Sequence, residues 1–287
     1  MKYQTVISKK VKGGIKLRCM GDTHYGETAY DGEYFDRACK DARDKERKII
    51  WMGDMVTSIP PGDRRWNIEE HQISLADQQH WLRVLLENYG DITEHLHVGN
   101  HELTHIRNSG NWVLNLCDEL NVDYAGFQRN TLYKHKSKEF TLYTTHGTWA
   151  LGGRAGEGRR KKTNKEIRIK DFMRTICYAN LSIMGHAHQG ILSTPHYSRQ
   201  LVNTGLPEYE EFYLPDDDGR VYACCPSFLR IYQNGYENYA TGRYEPTGVG
   251  WVDVDINENM ELEDVQVWES YEGEFIMVDS LKKRMVV

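Results

Sequence analysis

The sequence predicts an α/β fold in which polar residues at strand ends meet at one edge of a layered sheet. Short apolar, β-rich runs repeatedly stop at a glycine that precedes Asp, Asn or His, as where residues 15–20 end at Gly21-Asp22. Such runs are typical of buried strands. Segments with a helical pattern lie between them, and strands that alternate with helices are typical of βαβ units. Because open α/β sheets place ligand sites beyond the carboxyl ends of their strands, we expect the polar residues to converge there.

Predicted strands and helices alternate along much of the chain. The strands that end at glycine are 15–20, 48–52, 95–98 and 181–184. The helical patterns cover residues 34–47, 68–89, 110–120 and 164–178. The remaining β-like segments are a hairpin over 131–145 and strands over 193–203, 221–232 and 250–268. Since no internal repeat or low-complexity linker separates these elements, we predict a single domain over residues 1–287.

Composition limits the class of protein. Of the 287 residues, 39% are hydrophobic and 27% are charged, and no apolar run is long enough to cross a bilayer. The first ten residues lack the apolar stretch of a secretory signal, and the six cysteines form no Cys-x-x-Cys pair. We therefore expect a cytoplasmic protein with reduced thiols, no membrane partner and no thiolate-bound zinc. The net charge of −6 argues against a general nucleic-acid coat protein, but it allows an enzyme with a local basic surface.

Five short polar clusters at predicted strand ends carry the chemistry. They are Asp22-Thr23-His24, Gly53-Asp54, Gly99-Asn100-His101-Glu102, Thr145-His146-Gly147 and Gly185-His186-Ala187-His188. Each cluster alone has a simpler interpretation, such as a turn or a helix cap. Together they supply two aspartates, one asparagine and five histidines. That set is sufficient to hold two metal ions with a bridging carboxylate and to leave one histidine for proton transfer, and we interpret the joint occurrence as a metal site.

The spacing within the clusters suggests how ligands are shared. Asp54 follows a strand with no second acid beside it, which fits a carboxylate that bridges two ions. Asp22 and His24 are two residues apart, as are His186 and His188, so each pair can face one ion. Imidazoles combined with carboxylates suit manganese, iron, nickel or zinc better than magnesium or calcium. Histidines outside the clusters, among them His95 and His97, are expected to be structural or surface residues.

The order of these clusters resembles the pattern D-x-H, GD, GNH-E/D, H and GH-x-H of the calcineurin-like metallophosphoesterases, over residues 22–188. This resemblance implies a four-layer α/β/β/α sandwich of two packed mixed β-sheets flanked by helices. It implies a first ion held by Asp22, His24, Asp54 and His188. It implies a second ion held by Asp54, Asn100, His146 and His186. It also implies that His101 binds neither ion and protonates or stabilises the leaving oxygen, while a hydroxide bridging the ions attacks phosphorus in line.

The residues after Asp54 separate this chain from one branch of that family. The family's phosphoprotein phosphatases continue as G-D-x-V-D-R-G, which supplies an aspartate to orient the catalytic histidine and an arginine to bind phosphate. Here Thr57 and Ser58 occupy those two positions. The chain is therefore not expected to be a serine/threonine phosphatase, and the group that orients His101 is open, with Thr57 as one candidate. The run at 60–65, the basic run after His146 and the run at 226–230 resemble phage- or prophage-encoded members of the superfamily.

Two charged segments bear on the substrate. The segment at 147–168 is a predicted basic loop in which Arg154, Arg159 and Arg160 are candidates for binding substrate phosphates, with Trp149 as a candidate for base stacking. A solvated charge run is the alternative interpretation. The segment at 207–218 is a predicted acidic insertion, either a surface lid or a subunit contact.

The sequence thus favours a dinuclear metal-dependent phosphodiesterase, with manganese as the preferred ion and with nucleic acid ends (DNA or RNA) or nucleotides as substrates. A phosphomonoesterase acting on a small phosphorylated compound is the alternative. A non-catalytic binding scaffold of the same fold is disfavoured, because the ligand set is complete. The natural substrate, the physiological metals and the oligomeric state are open at this stage.

Overall fold

A computed structural model describes residues 6–63, 66, 73–148, 151, 158–195, 197–203, 209–215, 219–230, 248–270 and 274–282. The seven strands of the larger sheet are, in order across it, β15 (Phe275–Ser280), β14 (Leu262–Ser270), β13 (Val249–Ile256), β2 (Ile15–Met20), β3 (Lys48–Trp51), β4 (Thr93–His97) and β5 (Tyr124–Gly126). The six strands of the other are β1 (Val6–Lys10), β6 (Gln128–His135), β7 (Lys138–Thr145), β8 (Leu181–Met184), β12 (Val221–Cys224) and β9 (Ile191–Ser193). Strands β10 (Tyr197–Asn203) and β11 (Tyr209–Pro215) pair with each other in a two-stranded sheet.

Both large sheets are mixed. In the seven-stranded sheet β2, β3, β4 and β5 are parallel neighbours, whereas β13, β14 and β15 are antiparallel. In the six-stranded sheet β7, β8 and β12 are parallel neighbours, and β6 and β9 pair antiparallel to that group. The helices are α1 (Gly32–Asp44), α2 (Leu75–Tyr89), α3 (Asn100–Ser109), α4 (Trp112–Leu120) and α5 (Gly158–Ile176).

Three buried hydrophobic clusters define the layers. Side chains of the two sheets pack against each other in one cluster that includes Ile50, Leu142 and Ile183. Ile49, one residue before Ile50 on β3, points to the opposite face and packs with α1, α2 and α4, as the two-residue period of a strand requires. Helix α5 covers the outer face of the six-stranded sheet. The predicted α/β sandwich of two mixed sheets flanked by helices is therefore confirmed.

Two helices differ from their predictions next to the polar clusters. Helix α3 is absent from the prediction, because its first residues are also the third polar cluster, and it ends before Gly110, whose φ is +89°. Helix α5 (Gly158–Ile176) confirms the helix predicted over 164–178 but begins six residues earlier, so the loop predicted over 147–168 is wrong from Gly158 onward. Residues 158–163 contain four consecutive basic residues and no apolar one, so no apolar period marked the first turns, whereas Ile169 and Met173 pack on the sheet. Residues 149, 150 and 152–157 lie outside the described part of the chain.

Other boundaries shift in ways that local chemistry explains. Helix α2 begins one residue after Ser74, whose side chain accepts a hydrogen bond from the backbone of Asp77, and residues 67–72 lie outside the described residues. Strand β11 occupies 209–215 of the predicted acidic insertion, whose other residues are not described. Strand β1 is absent from the prediction because it is largely exposed and shows no alternation of apolar residues. Among the described residues, no helix has the length and apolar character needed to span a membrane.

Candidate metal centre

The five polar clusters lie at the carboxyl ends of strands from both sheets. Asp22 follows β2, Asp54 follows β3, Asn100 follows β4, His146 follows β7 and His186 follows β8. Since all these strands belong to parallel pairs within their sheets, their carboxyl ends lie at a common edge. The structure therefore brings together side chains that are up to 166 positions apart in the chain, from Asp22 to His188.

Left-handed backbone is concentrated in these clusters. The described chain contains ten non-glycine residues with positive φ. Half of them are candidate ligands: Asp22 (+49°), His24 (+47°), Asp54 (+48°), His186 (+66°) and His188 (+53°). Such conformations cost free energy in residues with a Cβ and are typical of functional sites, where the surrounding structure maintains them.

Two glycines of the motifs let neighbouring loops touch. A Cβ on Gly99 would clash with the backbone nitrogen and Oδ1 of Asp54. A Cβ on Gly185 would lie 2.8 Å from Oδ2 of Asp22. These glycines are therefore required because each aspartate is packed directly against the backbone of another loop, which fixes the direction of its carboxylate.

The first group of candidate ligands is Asp22, His24 and His188, all buried. The Nε2 atom of His188 lies 3.3 Å from His24 Nε2 and 3.4 Å from Asp22 Oδ1. Asp22 Oδ2 accepts a hydrogen bond from the His186 backbone N–H at 2.8 Å. Its Oδ1 is buried and has no hydrogen-bond partner among the described residues. A buried carboxylate oxygen that faces two imidazoles without a hydrogen bond fits a site for a cation.

The second group is Asp54, His146 and His186, with Asn100 beside it. The Nε2 atom of His146 lies 3.2 Å from Asp54 Oδ2, 3.0 Å from Asn100 Oδ1 and 3.3 Å from His186 Nδ1. The other ring nitrogen, Nδ1, donates to the carbonyl of Met52 at 2.9 Å. That hydrogen bond orients the imidazole and leaves Nε2 to face the group, as in protein sites where a histidine binds a metal.

Asp54 lies between the two groups. Its Oδ2 is 3.7 Å from His24 Nε2 on one side and 3.2 Å from His146 Nε2 on the other. Its Oδ1 accepts a hydrogen bond from the backbone N–H of His101 at 2.8 Å. The Oδ2 atom of Asp54 thus faces imidazole nitrogens of both groups, so its position fits a bridge.

The electrostatics of the site favour positive charge. Burial raises the pKa of Asp54, but the facing histidines, His146 first, outweigh burial and hold that pKa well below its usual range. Burial lowers the pKa of His146, but the Asp54 carboxylate outweighs it and raises the pKa of His146 to about 10. Asp54 is therefore ionised, and the cluster attracts a cation.

His101 lies against both groups. Its Nδ1 donates to the backbone carbonyl of Thr57 at 2.7 Å, which leaves Nε2 to face Asp54 Oδ2 at 3.9 Å. The Thr57 hydroxyl donates instead to the carbonyl of His24 at 3.0 Å. Thr57 thus orients His101, but through its main chain. His24, Asp54 and His101 also form a third group with ligand distances, so the assignment of His101 as a residue that binds no ion stays a prediction.

Two buried glutamates support the candidate ligands, and the sequence assigned neither a role. Glu102 accepts hydrogen bonds from the backbone N–H groups of Gly99 (2.8 Å), Asp54 (3.1 Å) and Val56 (3.0 Å). Burial first, and then the Asp54 charge, raise the pKa of Glu102 to about 7. Oε1 of Glu27, which is 5% exposed, lies 3.8 Å from His24 Nδ1. The position of Glu102, three residues after the helix-capping Gly99, is the one signal in the sequence for its role.

Of the three predicted substrate-binding arginines, Arg160 is the one whose side chain the structure describes, and it is exposed on α5. Arg159 is the second residue of α5. Arg154 and Trp149 lie outside the described residues.

Comparison with known proteins gives weak similarities. No family model and no curated protein matches the chain. Among solved structures, GAP50, the anchor in the inner membrane complex of Plasmodium, is 11% identical with a TM-score of 0.42, covering 94% of this chain and 88% of that one. A metallophosphoesterase from Sphaerobacter thermophilus is 12% identical with a TM-score of 0.32, covering 83% of each chain. Similarities this weak do not determine an activity.

Proposed function

We propose that this chain is a dinuclear metal-dependent phosphoester hydrolase, and that it prefers phosphodiesters, with nucleic acid ends or nucleotides as the substrate class. The observation that carries the proposal is the pair of ligand groups, Asp22 with His24 and His188 and Asp54 with His146 and His186, related through Asp54 Oδ2. A structural polar cluster would not require left-handed backbone at five of its members.

The donor set fits two divalent transition metal ions. The first would be held by Asp22, His24, Asp54 and His188, and the second by Asp54, Asn100, His146 and His186. Two such ions polarise a phosphoryl group and lower the pKa of water at the site. Mixed imidazole and carboxylate ligands suit manganese, our preferred ion, and also iron, nickel or zinc.

The proposed role of His101 follows from its hydrogen bond. Because Nδ1–H is held by the Thr57 carbonyl, Nε2 is the atom that can carry a proton to the leaving oxygen. General acid catalysis by a positioned histidine contributes about 10²–10⁴-fold to a rate. The histidine is 6% exposed, so it can meet a substrate at the surface of the site.

The preference for diesters rests on charge. None of the five clusters contains an arginine or lysine, and Ser58 occupies the position where related phosphatases place a phosphate-binding arginine. A phosphomonoester carries up to two negative charges at its phosphate, whereas a diester carries one. Clusters without an arginine or lysine therefore suit the less charged diester.

Substitution of the bridging residue tests the proposal. Asp54→Asn should lower kcat/KM on bis-p-nitrophenyl phosphate with added manganese by about 10³-fold or more, because the group that offsets the charge of both ions is lost. The bound manganese, measured by inductively coupled plasma mass spectrometry, should fall as well. Asp118→Asn, an exposed position on α4, is the matched control.

Two results would contradict the proposal at different levels. Wild-type turnover and metal content in Asp54→Asn would refute the dinuclear site. A strong preference of the wild-type protein for p-nitrophenyl phosphate over the diester would instead make it a phosphomonoesterase. The Asp54→Asn variant therefore tests whether the dinuclear site exists, and the pair of substrates tests which phosphoester it prefers.

A further inference from the structure

Positive charge in this chain is concentrated on one helix. Helix α5 carries eight basic and two acidic residues, although the whole chain has a net charge of −6. The basic residues are Arg159, Arg160, Lys161, Lys162, Lys165, Arg168, Lys170 and Arg174, and the acidic ones are Glu166 and Asp171. Six of the eight lie in the first eleven residues of the helix. The N-terminal half of α5 is therefore the most basic helical segment of the described chain.

Chain topology places this half of the helix beside the metal centre. Helix α5 connects β7 to β8, which are parallel neighbours, so the helix must run antiparallel to them. Its N-terminus therefore points toward the edge at which β7 and β8 end, which is the edge that carries His146 and His186. Ile169 and Met173 pack in the same buried cluster as Ala187, the residue between two candidate ligands. The basic half of α5 and the metal centre thus share one edge of the sheet.

The stability of the helix does not explain this arrangement. Basic residues in the first turns of a helix interact unfavourably with its macrodipole. Lys162 is offset by Asp279 at 2.8 Å, whereas Arg160 and Arg168 are exposed. Basic residues that oppose the helix macrodipole beside the proposed site therefore indicate a function there.

We propose that the N-terminal half of α5 binds the phosphate backbone of a single-stranded nucleic acid whose scissile phosphodiester lies at the metal centre. This inference rests on the proposed function and narrows its substrate to a polynucleotide. Arg160 and Arg168 are eight residues apart, which corresponds to about 12 Å along a helix. One phosphate cannot contact both arginines across that distance, whereas a chain of several nucleotides presents a phosphate to each.

Binding to a catalytically impaired protein tests the surface without hydrolysis. In the Asp54→Asn background, a fluorescein-labelled single-stranded DNA of about 20 nucleotides is titrated by fluorescence anisotropy at several salt concentrations. Arg160→Glu with Arg168→Glu should weaken binding by about tenfold or more. The slope of log K against log salt should become shallower by about 1.4, because two phosphate contacts on a single strand are lost.

A second charge reversal provides the control. Lys40→Glu with Lys45→Glu changes the net charge equally but lies on α1 and its C-cap, which cover the outer face of the other sheet. This variant should keep at least half of the affinity. The neutral pair Arg160→Gln with Arg168→Gln should lose several-fold affinity and guards against misfolding of the reversed pair.

The outcomes separate this inference from the proposed function. Equal losses in both charge-reversed proteins, or wild-type affinity in the α5 variants, would overturn the inference. Equally tight binding of a heparin fragment of similar length would overturn the assignment to nucleic acid. If the wild-type protein binds DNA through α5 but hydrolyses no phosphodiester, the proposed function fails while the binding surface stands. If it hydrolyses the small diester but α5 makes no difference to DNA binding, only the surface fails.

Discussion

Two buried polar clusters originate from strand β2, and they differ in how completely their charges are matched. Arg18 within the strand is fully buried, and its guanidinium donates to both carboxylate oxygens of Asp253 at 2.8 and 2.9 Å. It also donates to the carbonyl of Ala38 and to Asp41, both at 2.7 Å, and lies 4.1 Å from the centre of the Trp251 ring. This network around Arg18 is closed.

The candidate metal centre begins two residues beyond the same strand, and its charges are less completely paired. Asp22 Oδ1 is buried without a hydrogen bond among the described residues. The Nε2 atom of His188 lies 3.4 Å from this oxygen. Residues of the Arg18 network have ordinary backbone, whereas Asp22, His24 and Asp54 are left-handed. The difference indicates that the Arg18 network stabilises the fold. The fold in turn maintains the second cluster, whose buried carboxylate oxygen lacks the partner that a cation would provide.

Breaking the closed network should produce the largest effect on stability. Asp253→Asn leaves the buried Arg18 guanidinium without its carboxylate and should lower the free energy of unfolding by about 3–5 kcal/mol. Urea denaturation would measure this, with the exposed Asp44→Asn as control. The value of kcat/KM per folded molecule should stay within about twofold of wild type, because Asp253 pairs with Arg18, four residues before Asp22, and the Arg18 guanidinium faces α1. Loss of bound metal in Asp253→Asn would show that the two clusters are one unit.

Removing the Glu102 carboxylate, which supports the Asp54 loop, should lower metal affinity and should affect stability less than Asp253→Asn does. In Glu102→Gln an amide NH₂ replaces one of the two oxygens that accept from Gly99, Asp54 and Val56, so at least one backbone N–H loses its acceptor. Groups that orient metal ligands typically contribute about 10–100-fold to metal affinity or activity. We expect weaker manganese binding, measured by isothermal titration calorimetry, and partial recovery of turnover at high manganese concentration.

The control for this experiment is a substitution on the same helix turn at an apolar side chain, which accepts no hydrogen bond from the Asp54 loop. Leu103→Met, on α3 and half-buried, preserves volume and should retain the wild-type affinity for manganese. If Glu102→Gln lowered the free energy of unfolding but left metal affinity intact, Glu102 would support only the fold, and it would belong with the Arg18 network.

The sequence predicted the members of the candidate metal centre far better than those of the Arg18 network. Each candidate ligand follows the end of a strand, so a short local pattern locates it, and the edge rule of α/β sheets brings the pieces together. The Arg18–Asp253 pair joins residues 235 positions apart in two strands that are antiparallel neighbours. No local pattern reports such a pairing. The contact of Glu102 with the Asp54 backbone could not be predicted for the same reason, because it depends on how two loops pack.

Helix α5 shows a second reason why part of the fold could not be predicted from the sequence. The sequence predicted this helix only from residue 164 onward, because residues 158–163 contain four consecutive basic residues and no apolar one. The packing of the helix depends on Ile169 and Met173, its fully buried residues in the described chain. Two buried side chains one turn apart are a weak periodic signal in isolation. Tertiary packing against β9 and β12 decides the helix, and the sequence cannot report that packing in advance.

His95 and His97 form a smaller buried polar network with Thr144. His97 Nδ1 donates to the carbonyl of Gly126 at 3.0 Å, so the Thr144 hydroxyl donates to His97 Nε2 at 2.8 Å and accepts from His95 Nε2 at 3.1 Å. This arrangement requires a neutral His97, because a protonated Nε2 cannot accept from the Thr144 hydroxyl. Burial first, with the Arg129 charge in addition, lowers the pKa of His97 to about 3. Burial likewise holds the pKa of His95 well below its usual range.

The depressed pKa of His97 makes folding sensitive to acid. Below the unfolded-state value of about 6.5 the unfolded chain binds a proton at His97, whereas the folded chain does not until about pH 3. Stability from this group is therefore complete above about pH 6.5 and falls as the pH falls, by up to about 1.4 kcal/mol per pH unit.

His97→Gln keeps one donor and one acceptor but cannot titrate, so its unfolding free energy should fall less steeply with acid by about that amount. Urea titrations between about pH 6 and about pH 4 would measure the slopes. The exposed His80→Gln should retain the wild-type slope, and equal slopes for all three proteins would mean that His97 does not carry the acid sensitivity.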